Sequence, residues 1–235
     1  MKTFYTLILV FTISFSVVAQ EKIPSTNIYS TGGKGYFSIG IGQFDFNGLN
    51  TELDKNGYPG IENGFISMGG GGHFQMKRFI IGGEGHGFMA NSIENKNYST
   101  YGTGGYGFFN LGLALYQKNK FSSYFLLGLG GGGYSIDISE NGDVDLKDIM
   151  NGSFKQIHLT ESSLLIKFSL GTDFFVLGDS SDKAISGVFV GLRAGYTLDL
   201  ANSWSTENQL VNNVPPTHMS GPFIKLIIGG GGYKK

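Results

Sequence analysis

The chain has 235 residues, a formal net charge of −1 and no cysteine, together with 39 glycines and 20 phenylalanines. Charged residues make up 15% of the sequence, whereas an average soluble domain contains roughly 25%. The balanced charge and the lack of a basic stripe argue against nucleic-acid binding. The absence of cysteine excludes disulfides and thiolate metal sites.

The first twenty residues have the three parts of a secretory signal peptide. Lys2 is followed by an apolar run, which ends in small residues just before Gln20. This order predicts export with cleavage after Ala19. An uncleaved N-terminal membrane anchor is the alternative, because the apolar run approaches the length that spans a bilayer. We therefore expect residues 1–19 to be a signal peptide and residues 20–33 to be a flexible leader.

Eight segments after this leader alternate apolar side chains with glycine, hydroxyl or charged residues. The clearest is 187–200, where seven apolar residues fall on one parity, and Arg193 and Asp199 fall on the other. Alternation with a period of two predicts a β-strand with one apolar face. The predicted strands are residues 35–44, 64–74, 79–89, 104–116, 121–137, 163–175, 187–200 and 221–233.

The connections between these strands alternate in length. Outer-membrane barrels have an even number of antiparallel strands, with short periplasmic turns and longer external loops. The sequence therefore predicts an all-β fold, an eight-stranded antiparallel up-and-down transmembrane β-barrel over residues 34–235, with both ends in the periplasm. The predicted long loops are 45–63, 90–99, 138–162 and 201–220, and the predicted shorter turns are 75–78, 117–120 and 176–186.

With these strands and loops, the chain resembles the small eight-stranded outer-membrane β-barrel family, which includes outer-membrane-protein-X-like and outer-membrane-protein-W-like barrels. The resemblance covers about residues 34–233 and lies in the strand pattern. Family members usually end the last strand on an aromatic residue, whereas here Tyr233 is followed by two lysines. The resemblance implies a location in the outer membrane of a Gram-negative-type cell, with outer-membrane lipid around the barrel.

The charged residues of the predicted strands fall on the parity opposite the apolar face. A lysine or arginine that faces lipid near the bilayer midplane costs about 2–4 kcal/mol, so these side chains are predicted to point into the barrel. An eight-stranded barrel is just wide enough for its side chains to fill. We expect a salt-bridged core that plugs the barrel, and a narrow polar conduit is the alternative. The predicted lumen charge network is Glu84, His86, Lys167, Asp173, Arg193, Asp199 and Lys225.

The predicted loop 138–162 contains the acidic run SENGDVDLKD. The run lacks the glycine and the distal glutamate of a helix-loop-helix calcium site. We therefore expect a solvated acidic loop without a bound metal. The residues of this candidate acidic site are Glu140, Asp143, Asp145 and Asp148.

Glycine runs and aromatic residues are interpreted as structural. The glycine runs at 69–72, 130–133 and 229–232 are not followed by the helix and the lysine-serine or lysine-threonine pair of a phosphate loop. They are predicted to be strand positions where a narrow barrel needs small residues. Aromatic residues near strand ends fit the girdles at the two membrane interfaces, and those predicted here are Tyr36, Phe74, Tyr101, Tyr116 and Tyr196.

These features favour an integral outer-membrane barrel without cofactor or enzyme activity, which meets a surface partner through its external loops. A barrel that transports ions or small solutes is the second hypothesis. A lipid-modifying enzyme is the third, because Glu84, His86 and Ser67 supply the residue types of a hydrolytic triad, although at no specific spacing. A water-soluble exported barrel is disfavoured. In such a barrel the apolar side chains would face inward, and the other face of each strand, which would then meet water, carries too few charged residues for a soluble surface.

Overall fold

The computed structural model describes residues 31–143, 145–152, 156–181, 183–206 and 209–234, so the predicted signal peptide lies outside the described residues. Among the described residues, no helix is long and apolar enough to cross a membrane. The elements in these ranges are Thr31–Gln43 (β1), Asn47–Lys55 (α1), Gly64–Met76 (β2), Phe79–Glu94 (β3), Tyr98–Lys118 (β4), Phe121–Glu140 (β5), Leu146–Met150 (α2), Gln156–Ser180 (β6), Ala184–Thr206 (β7), Gln209–Leu210 (β8) and Gly221–Lys234 (β9).

Eight of these strands form a closed antiparallel barrel. Strands β1 to β7 each pair with the next strand in sequence, and β9 pairs with both β7 and β1. In the closed ring every long strand has a neighbour on both sides. Closure is needed in a membrane because hydrocarbon offers no hydrogen-bond partner to the edge of an open sheet. The predicted eight-stranded antiparallel barrel is confirmed, and it begins at Thr31, so residues 31–33 belong to the wall and not to the leader.

The strands continue past their predicted boundaries at the end of the barrel that carries the long connections, which we call the loop end. The predicted long loop at 90–99 is wrong, because β3 and β4 continue until only residues 95–97 connect them. A register shift between Ala90 and Ile93 adjusts the pairing there. Apolar alternation marks only the part of a strand that crosses lipid, whereas backbone pairing continues into water.

The opposite end, which we call the turn end, holds the short turns and both ends of the described chain. Thr31 and Lys234 are paired there. Lys77 and Asn119, with φ angles of 53° and 54°, adopt the left-handed conformation in two-residue turns. In outer-membrane barrels the short turns face the periplasm and the longer loops face outward.

Side chains alternate across the barrel wall as predicted. Leu192 on β7 is 48% exposed on the outside, whereas Arg193 is 1% exposed inside. Every strand of the ring carries exposed apolar residues on its outer face, and together they form an apolar belt that contacts acyl chains in a bilayer. On β6 the belt runs from Leu164 to Val176, and the outward positions before Leu164 are polar. Residues before Leu164 therefore lie beyond the membrane-spanning segment of β6.

The connection 45–63 folds over the barrel mouth. Helix α1 buries Leu49 and Leu53, which lie four residues apart on one helix face. The Phe46 ring stacks on Tyr134 of β5 at a centroid distance of 4.8 Å. The resulting apolar cluster closes the loop end, and we call it the mouth cluster. Its buried members are Phe44, Phe46, Leu49, Leu53, Ile61, Phe65, Phe88, Phe108, Tyr134, Ile136, Ile138, Leu165, Trp204 and Met219.

Polar contacts fix this connection in place. The Asn50 side-chain amide donates to the Ile61 carbonyl at 2.9 Å, and the Ile61 amide donates back to Asn50 Oδ1 at 2.7 Å. The backbones of Asp45 and His218 exchange two hydrogen bonds of 3.1 Å. The pairing of Asp45 with His218 joins the connection after β1 to the connection before β9. These two connections therefore cover the barrel mouth together.

The outward position of Leu192 generates a prediction about assembly. Leu192→Arg places a charge on the lipid-facing belt, at a cost of about 2–4 kcal/mol near the midplane. Leu192→Ala only shortens an exposed apolar side chain. We expect much less heat-modifiable folded barrel in outer-membrane fractions for Leu192→Arg than for Leu192→Ala, and equal amounts would contradict the assigned orientation.

Candidate functional site

Glu84 on β3 is the centre of a buried ion cluster. Its Oε1 forms an ion pair with the Lys167 ammonium and lies 3.6 Å from Lys225 Nζ. Its Oε2 accepts a hydrogen bond of 2.5 Å from Arg193 Nη1. All four side chains are buried. One carboxylate therefore faces three cations from β6, β7 and β9, and we call this group, with Tyr36 and His86, the interior cluster.

The other two members of the interior cluster complete the surroundings of this carboxylate. The Tyr36 hydroxyl donates to Glu84 Oε2 at 2.9 Å and accepts from Arg193 Nη1 at 3.0 Å. His86 Nε2 lies 3.5 Å from Glu84 Oε1. An added Cβ at Gly71 would lie 2.7 Å from both the Tyr36 hydroxyl oxygen and the Glu84 Cβ. This inward glycine therefore leaves room for the contact between Tyr36 and Glu84.

Aromatic rings line the cations of the interior cluster. Arg193 lies 5.0 Å from the centre of the Tyr36 ring. Lys167 lies 4.7 Å from the ring centre of Phe108, and Lys225 lies 5.1 Å from that of Tyr106. The electron-rich ring faces attract cations, so they offset part of the repulsion among three positive charges that share one carboxylate.

A second buried ion pair lies beside the interior cluster, towards the turn end. The Lys34 ammonium of β1 pairs with the Asp173 carboxylate of β6. The Tyr124 hydroxyl donates to Asp173 Oδ1 at 3.2 Å and accepts from Arg193 Nη2 at 3.2 Å. This tyrosine therefore links the pair to the interior cluster, and the two groups form one continuous polar network.

The structure brings most of the predicted network together but separates one member. Glu84, His86, Lys167, Arg193 and Lys225 lie in the interior cluster, and Asp173 lies in the adjoining pair with Lys34. Asp199 is elsewhere, at the loop end, where its Oδ2 accepts from the Ser163 hydroxyl at 3.0 Å and from the Met219 amide at 3.2 Å. The alternation of residues along a strand predicts whether a side chain points inward or outward. It does not predict the position of that side chain along the barrel axis.

Several residues of this network were missed by the sequence analysis. Lys34 lies two residues before Tyr36 and therefore on the same face of β1. The first predicted strand begins at residue 35, so it leaves Lys34 out. Tyr36 was assigned to an interfacial girdle, which is wrong because the side chain lies inside the barrel. His73, whose Nε2 lies 3.4 Å from Arg193 Nη2, and Tyr124 both fall on the inward parity of their predicted strands, and this parity could have identified them. The other four predicted girdle residues are exposed: Phe74, Tyr101, Tyr116 and Tyr196.

Two carboxyl groups meet at the mouth. The Ser163 hydroxyl lies 2.8 Å from Glu161 Oε1 and 3.0 Å from Asp199 Oδ2. Glu161 is fully buried and pairs in register with Tyr134 and Trp204 of the mouth cluster. Burial raises the pKa of the Glu161 carboxyl most, the negative charge of Asp199 also raises it and the Ser163 hydroxyl lowers it, and together they bring the pKa to about 7. The Glu161 carboxyl therefore holds a proton well above the usual pH range of a glutamate.

The candidate acidic loop site is dispersed. Glu140 ends β5, and Asp143 and Asp145 are exposed. The Asp145 side chain caps α2 by accepting from the Lys147 amide at 3.1 Å. The side chain of Asp148 lies outside the described residues. Across the described ranges, no three histidine, aspartate or glutamate side chains are grouped to hold a metal ion.

The residues of the hydrolase hypothesis do not adopt a triad geometry. His86 faces the Glu84 carboxylate and packs against the Tyr106 ring at 5.3 Å. Ser67 pairs in register with Phe88, whereas His86 pairs with Gly69. A nucleophile and its base need to be within hydrogen-bond reach, and this register does not place Ser67 opposite His86, which lies beside the Glu84 carboxylate instead.

A closed ring of eight antiparallel strands, with an apolar belt outside and paired charges inside, defines an integral outer-membrane β-barrel protein. Its structure is similar to that of the attachment invasion locus protein Ail of Yersinia pestis, with 11% identity, 88% of this chain and 99% of that chain covered, and a TM-score of 0.39. It is also similar to the outer membrane protein OprG from Pseudomonas aeruginosa, with 13% identity, 88% and 97% covered, and a TM-score of 0.38.

A major outer membrane protein from Thermus thermophilus is a third similar structure, with 7% identity, 86% of this chain and 99% of that chain covered, and a TM-score of 0.42. No family model and no curated protein match the sequence.

The central position of Glu84 predicts a large effect of removing its charge. Glu84→Gln keeps the shape of the side chain but leaves Lys167, Arg193 and Lys225 without their shared counter-charge. Removing one partner of a buried ion pair costs about 3–5 kcal/mol, so the free energy of unfolding in urea should fall by about that amount.

Two further variants control this experiment. Asp179→Asn removes an exposed carboxylate at the turn end and should change the unfolding free energy by about 0.5 kcal/mol or less. The double variant Glu84→Gln with Lys225→Met removes one of the unpaired cations and should recover part of the loss. If Glu84→Gln unfolds like the wild type, the carboxylate does not hold the cations together.

The raised pKa of Glu161 predicts how stability depends on pH. Between pH 4.5 and about 7 the folded state binds this proton and the unfolded state releases it, so stability falls as pH rises through this window. Glu161→Gln cannot ionise. Its unfolding free energy should therefore match that of the wild type near pH 4.5 and exceed it above pH 7. A difference that stays constant with pH would contradict the raised pKa.

Proposed function

We propose that this protein is a structural or interaction protein of the outer membrane, which acts through its loop-end surface while its interior remains closed to solutes. The single observation that supports this most strongly is the position of Glu84. Side chains from β1, β6, β7 and β9 meet this carboxylate of β3. Contacts therefore cross the barrel at this level, as the narrow interior of an eight-stranded barrel favours.

The mouth cluster supports the same proposal at a second level. Leu49 and Leu53 of α1 belong to the same buried apolar cluster as inward side chains of β2 to β6. A solute would have to pass both this apolar layer and the charged interior cluster. The loop-end segments, in contrast, present exposed surface on the outer side of the barrel and are free to contact a partner.

The proposal includes the route by which the protein reaches the membrane. Export would use the N-terminal segment, with cleavage after Ala19, and the mature chain would insert with its turn end in the periplasm. Outer-membrane lipid would surround the apolar belt. No catalytic step is part of the proposal, because His86 faces a carboxylate and not a nucleophile. The proposal includes no cofactor.

Small-anion transport is the second candidate function, and one specific observation favours it. The polar network contains the four cations Lys34, Lys167, Arg193 and Lys225, but only the two carboxylates Glu84 and Asp173. A pathway lined in this way would favour anions over cations, because oppositely charged ions are concentrated by such a lining.

Conductance in a planar lipid bilayer tests the closed interior. We expect refolded mature protein, with its folded state confirmed by heat-modifiable migration, to give no discrete current steps. A variant in which a glycine-serine linker replaces residues 47–55 should also be silent, because the interior cluster lies below α1. A conducting porin in the same bilayers serves as the positive control.

Reproducible steps from the wild type would overturn the proposal and favour transport. Steps from the linker variant alone would place the closure in the mouth cluster and not in the interior cluster. In either case the reversal potential in a salt gradient measures ion preference, and the excess of positive charge in the interior predicts a preference for anions.

A further inference from the structure

The loop-end surface contains an apolar groove of about 230 Å³, between α1 and the last connection of the barrel. It is smaller than the roughly 300–1,000 Å³ of a site that encloses a drug-sized molecule. Its size suits a single apolar side chain of a polypeptide. We call it the loop-end groove, and its lining includes Leu53, Tyr58, Ile157, Leu159, Val211 and Val214.

Helix α2 adds exposed apolar surface to the same end of the barrel. It lies in the connection between β5 and β6, and Ile138 and Ile157 at the base of that connection both line the loop-end groove. Leu146, Ile149 and Met150 are 68%, 54% and 79% exposed. These side chains stand beyond the membrane-spanning segment, so lipid does not cover them, and such exposed apolar residues are typical of interaction surfaces.

The charge of the loop end is strongly one-sided. Residues 44–63, 90–99, 137–162 and 199–220 contain twelve acidic residues besides the buried Glu161, and four basic residues. The turn end has the opposite balance, because residues 75–78, 117–120, 179–183 and 233–235 contain seven basic and two acidic residues. Glu52 on α1 is exposed and lines the loop-end groove. A partner at the loop end therefore meets apolar surface inside a negative field, which attracts cations and repels anions.

The geometry points to a docking surface for a positively charged polypeptide at the loop end. The polypeptide inserts one apolar side chain into the loop-end groove, packs a second apolar residue against α2, and places its lysine or arginine residues against the acidic surroundings. This inference rests on the proposed interaction function and adds the chemistry of the partner. A small molecule would leave the exposed face of α2 uncovered, and an anionic partner would be repelled.

Binding of synthetic peptides to the full mature protein in zwitterionic lipid nanodiscs tests this surface. A fluorescent peptide of alternating lysine and leucine should bind, and a peptide of lysine alone should bind about tenfold more weakly, because it lacks the apolar contacts. A peptide of alternating glutamate and leucine should not bind. Raising the salt from about 50 to about 500 mM should weaken binding of the lysine-leucine peptide, because the charges involved are exposed.

Substitutions assign the binding to the proposed residues. The variant with Leu146→Ser, Ile149→Ser and Met150→Ser changes exposed side chains only, so it should fold normally and lower the affinity about tenfold. Glu52→Gln should also lower the affinity, whereas Asp179→Asn, which removes one charge at the turn end, should not. Folding of each variant is checked by heat-modifiable migration before binding is measured.

Three results would overturn the docking surface: unchanged affinity in the triple serine variant, equal binding of the glutamate-leucine peptide, or equal binding to empty nanodiscs. These results are separate from the test of the closed barrel. A protein that conducts overturns the closed interior whatever the peptide does. A silent protein that binds no lysine-leucine peptide overturns only the docking surface.

Discussion

Three buried cations share one carboxylate in this barrel, and this shared interaction is the constraint on which the interior depends. Arg193 and Lys225 are paired in register on neighbouring strands, where two like charges repel each other. Glu84, reaching from the far side of the ring, supplies the compensating charge to both and to Lys167. Strands that are distant in sequence are therefore held at a fixed separation by side chains, in addition to the backbone pairing between neighbours.

The interior changes character along the barrel axis. Charged and hydroxyl groups surround Glu84, apolar side chains such as Leu126 and Phe189 fill the interior towards the turn end, and the mouth cluster covers the ion pairs at the loop end. Glu161 lies at the boundary, with its carboxyl beside Ser163 and its register partners Tyr134 and Trp204 in the mouth cluster. An apolar cover keeps water from the ion pairs below it, and ion pairs are stronger where water is excluded. The two layers therefore support each other.

The direction of each strand residue followed from the sequence because alternation with a period of two leaves only two faces, and lipid accepts only one of them. This argument predicted that Arg193, Lys167 and Lys225 point inward, and all three side chains are buried. It failed for Tyr36, whose ring and hydroxyl suit both an interface and a polar interior, and for the predicted loop 90–99, because pairing above the membrane needs no apolar alternation. The contacts of Glu84 were also beyond prediction, because they join five strands through distances that a linear pattern does not contain.

The pairing of β1 with β9 links the two ends of the described chain, so the ring cannot close until the final strand has been delivered. Contacts between residues so far apart in sequence form late, since a long loop must first be closed at an entropic cost. Until then β1 and β7 each have an unpaired edge, which can pair with another chain in water and is strongly unfavourable in hydrocarbon. The closure of the ring therefore depends on β9: a chain that ends before this strand leaves β1 and β7 with unpaired edges, and only a chain that includes it forms a ring without edges.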